Sequence, residues 1–131
     1  AIGLSEKDAL TMSDLNMQVY EHYLDWAEDY YARVLSNQSN SSYAYHGRAD
    51  AYRINNQHEK AVADYTHAIA IDPNEARLYL GRGTSYSALN EIEKAEKDFQ
   101  TVSTVTDKLH LKRQAEELIN KVTVTSKVTV T

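Results

Sequence analysis

The chain of 131 residues contains no cysteine, which excludes disulfides, zinc–thiolate centres, iron–sulfur clusters and thiol nucleophiles. It has four glycines and one proline, too few for the many tight turns of a β-sandwich or β-barrel. Apolar runs stay well short of the roughly 20 residues that cross a bilayer, so we expect no membrane span.

A basic and apolar leader is also missing, and the sequence begins at Ala1 rather than Met. We therefore expect that the N-terminus has been processed or cut. The compartment stays open at this point: a cytoplasmic location is favoured, and export remains an alternative because a leader could have been lost.

Residues that favour helices dominate the sequence, of which 42% is apolar and 25% is charged. These values are typical of a folded, soluble and mostly helical domain. The net charge of −5 comes from residues 1–40, which carry seven acids and two bases, whereas the remainder carries twelve of each. Because phosphate binding needs a clustered basic face, this distribution argues against a nucleic-acid partner.

The clearest pattern is self-similarity at a spacing of 34 residues, which predicts a repeat array. The units span about 8–41, 42–75 and 76–109, and an apolar stripe after them predicts a closing amphipathic helix at about 108–120. The pairs that carry the period are Tyr45 and Tyr79, Gly47 and Gly81, Arg48 and Arg82, Tyr52 and Tyr86, Lys60 and Lys94, Ala61 and Ala95, Asp64 and Asp98, and Tyr65 and Phe99.

Each unit is predicted to contain two helices. In the middle unit, two apolar stripes at helical spacing are separated by the polar residues 55–57, which tolerate a left-handed turn. Pro73 ends the second helix, and Asn74 is expected to cap the next one. Small residues at Ala49, Ala61 and Ala68 let the helix backbones approach each other, while tyrosines fill the wider gaps.

This pattern resembles the tetratricopeptide repeat family over roughly residues 8–109. The resemblance implies an all-α, right-handed solenoid of about three helix-turn-helix repeats plus a C-terminal capping helix, together forming a domain over residues 1–120. The family spacing of aromatic, small, Tyr, Ala, aromatic and Ala residues is met by Tyr45, Ala49, Tyr52, Ala61, Tyr65 and Ala68, with Pro73 after them, and by Tyr79, Gly83, Tyr86, Ala95, Phe99 and Val102.

Two segments depart from the pattern. In the first unit, Leu15 stands at the position of the small residue and Gln18 at that of the tyrosine, so longer and less regular helices over 5–35 are an alternative. The tail 121–131 alternates valine with threonine or lysine, as a strand does. Three interpretations stay open for it: a disordered tail, a strand that pairs with a second copy, or a helix imposed by its context.

Catalytic and metal-binding patterns are weak, so we expect neither an enzyme nor a cofactor or metal site. His46 and Asp50 lie four residues apart on one helix, but two ligands without a third make a poor metal site. His58 and Glu59 begin a zinc-protease signature whose second histidine is replaced by Val62.

In the family that the chain resembles, ligands lie in the concave groove lined by the first helix of each repeat. The mixed polarity of that surface here suits an extended peptide or a partner helix. Family members that hold a chaperone tail need a lysine where Met12 stands and a second cation where Gly81 stands, so we do not expect that subtype. The resemblance gives as groove residues Met12, Asn16, Tyr20, Tyr43, His46, Asp50, Arg53, Arg77, Leu80, Thr84 and Ser87.

The sequence therefore supports two alternative functions. The first is a non-catalytic protein-interaction module, a scaffold or adaptor that binds a peptide or helix of a partner protein in the groove. The second is a structural module that forms a homo-oligomer through its C-terminal strand-like tail or its terminal repeat.

Overall fold

The computed structural model describes the backbone of residues 12–128 and the side chains of residues 16–125. The described chain is entirely helical, which confirms the predicted fold class. None of the described helices is both long and apolar enough to span a bilayer. The helices are α1 (Met12–Asn37), α2 (Ser42–Ile54), α3 (His58–Ile71), α4 (Ala76–Ala88), α5 (Ile92–Val105) and α6 (Leu109–Val128).

Consecutive helices pack against each other along the whole described chain, as in an α-solenoid. The backbones of alternate helices approach each other between α2 and α4 and between α4 and α6, whereas those of α1, α3 and α5 stay further apart within residues 12–128. The even-numbered helices therefore form a tighter inner layer, and the odd-numbered helices form the outer layer.

The breaks between helices follow from local chemistry. Asn56 and Asn90 lie in the turns of the α2–α3 and α4–α5 hairpins. Their φ angles are 62° and 61°, a left-handed conformation that asparagine tolerates. The side chain of Ser41 caps α2 by accepting a hydrogen bond from the amide of Ala44 at 3.2 Å. The predicted cap at Asn74 is wrong, because Glu75 is the N-cap of α4 and accepts from the Arg77 amide at 3.2 Å.

The core consists of aromatic rings held between small residues. Tyr65 is fully buried, packs with Ala49 and lies against Gly81, where an added Cβ would stand 2.6 Å from the ring atom Cε1. Phe99 is likewise fully buried, between Gly83 and Ala115. Each ring thus lies between small residues sixteen positions before and after it, which sets the spacing of three successive helices.

Paired charges follow the same spacing. Arg48 donates two hydrogen bonds to Asp64, of 2.7 and 3.0 Å, and Arg82 donates two to Asp98, each of 2.8 Å. Both aspartates are buried, so each bidentate pair satisfies a carboxylate that water no longer reaches.

The first unit departs from the predicted pair of helices, because α1 runs without a break from Met12 to Asn37. The repeat position of Asn56 and Asn90 is occupied there by His22, which stays within the continuous helix. The described chain therefore holds two complete helix hairpins, flanked by the long α1 and by α6. Residues 1–11, where the first unit was predicted to begin, lie outside the described residues.

The C-terminal tail is neither a strand nor disordered over residues 121–128, because α6 continues through them to Val128. Val122 is buried and extends the apolar stripe of α6 onto the core around Phe99. The hydroxyls of Thr123 and Thr125 donate to the carbonyls of Ile119 and Lys121, which accommodates these residues in a helix. Context thus overrides the strand propensity, and the closing helix is longer than predicted. Residues 129–131 lie outside the described residues.

Two valines of this segment provide a direct test. Val122→Ser should lower the free energy of unfolding by about 2 kcal/mol, because it removes a buried apolar side chain. Val124→Ser should change it by less than about 0.5 kcal/mol, since Val124 is 61% exposed. Urea denaturation of both variants measures the difference; equal effects would contradict the helical tail.

Candidate functional site

A cavity of about 280 Å³ opens on the inner layer, between α2, α4 and α6. We call it the inner groove. The groove is narrow because α2 and α6, which form two of its walls, both contact α4. The groove is lined by His46, Asp50, Arg53, Arg77, Leu80, Gly81, Thr84, Leu111 and Gln114.

Of the eleven residues predicted for the groove, six line it, four lie elsewhere, and the side chain of one is not described. Asn16 and Tyr20 are exposed on the N-terminal half of α1, and the side chain of Met12 lies outside the described residues. Tyr43 is exposed at the start of α2 beside Tyr31. The residues that do line the groove are His46, Asp50, Arg53, Arg77, Leu80 and Thr84.

Ser87, the remaining predicted residue, lines a second and smaller cavity of about 160 Å³ between α4, α5 and α6. Thr84 borders both cavities. The second cavity has a more apolar wall, to which Leu118 and Val122 contribute.

Two groove residues that the sequence prediction missed come from α6. Leu111 and Gln114 lie 34 residues after Arg77 and Leu80, so extending the period into the closing helix would have found them. The closing helix therefore supplies the third wall of the groove, in the way that the first helix of a further repeat would.

A hydrogen-bonded network forms the α2 wall and connects it to the core. The carboxylate of Asp50 lies 3.4 Å from Nε2 of His46 and 3.7 Å from Nη2 of Arg53. The hydroxyl of Tyr65 donates to Asp50 and accepts a 2.9 Å hydrogen bond from Nε of Arg53. Asp50 is thus held by three partners, which fixes the position of Arg53 at the groove.

Tyr65 stays protonated in this network. Burial, reinforced by the neighbouring Asp50 carboxylate, raises the pKa of Tyr65 well above its ordinary value, while Arg53 opposes the shift. The phenol therefore remains a hydrogen-bond donor to Asp50 at neutral pH. Burial likewise raises the pKa of Tyr31 and that of Tyr52 to about 12.

Arg77 is the groove cation with the weakest internal pairing. Its Nη1 atom lies 3.8 Å from the Glu75 carboxylate, and its side chain is 52% exposed. Arg53, by contrast, is bound to both Tyr65 and Asp50. Because a guanidinium presents several donors in one plane, Arg77 can take a carboxylate of a ligand without first breaking a strong bond.

Among the residues that line the groove, the imidazole of His46 faces Asp50, and the hydroxyl of Thr84 donates to the carbonyl of Leu80 at 2.7 Å. Elsewhere, Nδ1 of His58 lies 3.4 Å from the hydroxyl of the buried Ser85, a contact that joins α3 to α4. Among the described residues, no three potential metal ligands lie close enough to hold an ion.

Two models of known repeat families match parts of the chain. The family described as "TPR repeat" matches residues 49–90, and the one described as "Tetratricopeptide repeat" matches residues 76–106. No curated protein sequence matches the chain.

Solved structures with a similar fold cover most of the chain. The second TPR domain of human RPAP3, in complex with an HSP70 peptide, is 25% identical with a TM-score of 0.69, over 83% of this chain and 85% of that chain. The first TPR of Spaghetti (RPAP3), bound to an HSP90 peptide, is 22% identical with a TM-score of 0.74, over 86% of each chain. PcrH, in complex with the chaperone binding region of PopD, is 19% identical with a TM-score of 0.72, over 95% of this chain and 97% of that chain.

The network around Tyr65 predicts a specific loss of stability. Tyr65→Phe should lower the free energy of unfolding at pH 7 by about 1–3 kcal/mol, because Asp50 and Arg53 each lose a buried hydrogen bond. Ser103→Ala is the control, since it removes an exposed hydroxyl on α5 and should leave the stability unchanged. Urea denaturation measures both variants.

The same variant should change the response to alkaline pH. Above pH 10 the unfolded chain releases phenolic protons that the folded chain retains, so the free energy of unfolding of the parent protein should fall as pH rises from about 10 to 12. Tyr65→Phe should make that fall shallower. An identical slope in the variant would contradict the raised pKa of Tyr65.

Proposed function

Because the chain belongs to the tetratricopeptide repeat family, we propose that it is a protein-interaction module that binds a peptide segment of a partner protein in the inner groove. The observation that carries the proposal is the convergence of side chains from α2, α4 and α6 on one concave surface. Structures of similar fold support it, since the TPR domains of RPAP3 and Spaghetti are seen with bound peptides.

The side chains of the groove indicate the chemistry of the peptide. Arg77 offers an accessible guanidinium, and Gln114 adds an amide on the opposite wall. Leu80 and Leu111 add apolar surface beside them. Asp50 is already occupied by its three partners and contributes little attraction for a cation. An acidic peptide that also carries an apolar side chain suits this combination best.

The role that we propose is non-catalytic, because the polar groups of the groove are suited to holding an anion rather than to transferring a proton or a group. The chaperone-tail subtype is a weaker fit. Gly81 lines the groove where that subtype would place a second cation, and Met12 stands where it would place a lysine. A tail of the type SGPTIEEVD is acidic and carries apolar residues, so it falls within the class that suits the groove, but we expect it to gain only the carboxylate contact with Arg77.

An array of short synthetic peptides with varied acidic, basic and apolar residues tests the proposal. The parent protein should select acidic peptides that contain Leu, Ile or Val. Arg77→Glu should weaken the tightest of them by about 10-fold or more in a fluorescence-anisotropy titration, because a carboxylate would then meet a like charge.

Arg33→Glu is the matched control. Arg33 is an exposed arginine on α1, away from the groove, and its ion pair with Asp29 lies at the surface, so its reversal should leave the affinity unchanged. Circular dichroism should show the same helicity for all three proteins. A preference for basic peptides, or equal binding by the Arg77→Glu variant, would contradict the proposal.

A further inference from the structure

α1 carries a row of side chains at the surface that the inner groove does not use. Asn16, Val19, Tyr23, Trp26 and Tyr30 follow one another at alternating spacings of three and four residues. This is the spacing of a coiled-coil seam. We call this row the α1 stripe. Its residues are all exposed except Tyr23, which is partly buried against the core between α1 and α2. Val19 is 64% exposed, Trp26 55% and Tyr30 38%, although all three side chains are large and apolar or aromatic.

The rings of the α1 stripe form a preorganised surface. Tyr23 and Trp26 are stacked with their centroids 6.0 Å apart, and Trp26 and Tyr30 are stacked at 5.1 Å. Contiguous exposed aromatic surface of this kind marks an interaction site in a soluble protein. The stripe lies on the outer layer, away from the groove between α2, α4 and α6.

Within residues 12–128 the α1 stripe is uncovered because Met12–Asn37 forms one continuous helix instead of a hairpin. By the 34-residue period, Tyr30 occupies the position of Asp64, which α2 covers with Arg48. The helix that would cover Tyr30 in the same way is the N-terminal half of α1 itself, which continues straight on instead of folding back. Within the described chain, therefore, no helix covers Tyr30, and the N-terminal half of α1 covers no helix.

We propose that a second copy of this chain covers the α1 stripe, with the two α1 helices packed antiparallel about a two-fold axis at Tyr23. In this arrangement Val19 of one copy meets Trp26 of the other, and the amide of Asn16 meets the phenol of Tyr30. The N-terminal half of each α1 then takes the place of the missing first helix on the other copy. Because both copies use the same surface, the assembly stops at two chains.

The exposed area is sufficient for a stable pair. An aromatic side chain carries about 150–250 Å² of surface, so Trp26 and Tyr30 each leave on the order of 100 Å² in water and the partly buried Tyr23 leaves less. Together with Val19, Tyr20 and the neighbouring Tyr43, which are 64%, 44% and 61% exposed, the rings of the stripe offer about 600 Å² per chain. Two copies would bury about 1,200 Å², the size at which specific interfaces begin.

The charges of α1 are compatible with self-pairing. Glu21, Asp25 and Glu28 occupy heptad positions outside the stripe, so the antiparallel seam does not bring these like charges face to face. Asp29 is paired within its own helix, 3.2 Å from Arg33. These four described acids of α1 thus stay outside the seam of the pair.

Sedimentation velocity of the full chain tests the proposal. The parent protein should sediment at twice the 14.9 kDa mass of one chain at tens of micromolar concentration. Trp26→Glu should raise the dissociation constant of the pair by about 100-fold or more, because it buries a carboxylate in the seam. Leu109→Glu is the matched control: Leu109 is 58% exposed on α6, and its variant should still pair.

Either a monomeric parent protein or an unaffected Trp26→Glu variant would overturn the proposal. Circular dichroism should show that Trp26→Glu is folded, as expected for an exposed residue, and Val19→Glu provides a second variant with the same expected effect. The Arg77→Glu variant of the inner groove should pair like the parent, so a failure of pairing and a failure of peptide binding are distinguishable.

Single cysteines test the orientation, since the chain has none of its own. Tyr23→Cys, at the two-fold axis, should form an intermolecular disulfide on mild oxidation. Val19→Cys should not, because eight residues of helix, about 12 Å, separate the two copies of that position in the antiparallel pair. Efficient crosslinking of Val19→Cys would show a parallel pair and overturn the two-fold axis at Tyr23.

Discussion

The insertion of one aromatic ring between two small residues is the contact on which the array depends. Tyr65 reaches back to Ala49 and forward to Gly81. Each ring therefore joins its own hairpin to the next helix. One contact thus both buries apolar surface and sets the distance between neighbouring repeats. Phe99 repeats the arrangement and ends on α6, which closes the array because it supplies a small residue, Ala115, at the same offset.

The same contact positions the inner groove. Because Tyr65 holds α4 close to α2, the side chains that project inward from these helices face each other across a narrow gap. Its hydroxyl is also hydrogen-bonded to Asp50 and Arg53, two residues that line the groove. Core packing and the polar wall of the groove thus share one residue, and this leaves Arg77, on the next helix, as the cation with the greatest freedom to bind a ligand.

The sequence was most informative where a residue has only one structural role. The period, the breaks at Asn56 and Asn90 and the buried small residues were all readable from it. It misled where a local signal met a stronger context, since the strand-like tail becomes helical once Val122 is buried. The first hairpin was predicted from an apolar pattern that is only partly present, with Leu15 and Gln18 at the positions of the small residue and the tyrosine, and the chain there forms one helix. Groove residues on α6 were missed because the period was not continued past the last repeat.

The free energy of unfolding of Gly81→Ala tests the ring contact most directly. At an exposed helix position, alanine is more stable than glycine by about 1 kcal/mol. Here the added Cβ would meet a ring whose hydroxyl is bonded to Arg53 and which cannot move aside at low cost. We expect a loss of about 1–3 kcal/mol, beside little change in the exposed control Ser103→Ala. A gain in stability for Gly81→Ala would show that the ring does not depend on the small residue, contrary to this account.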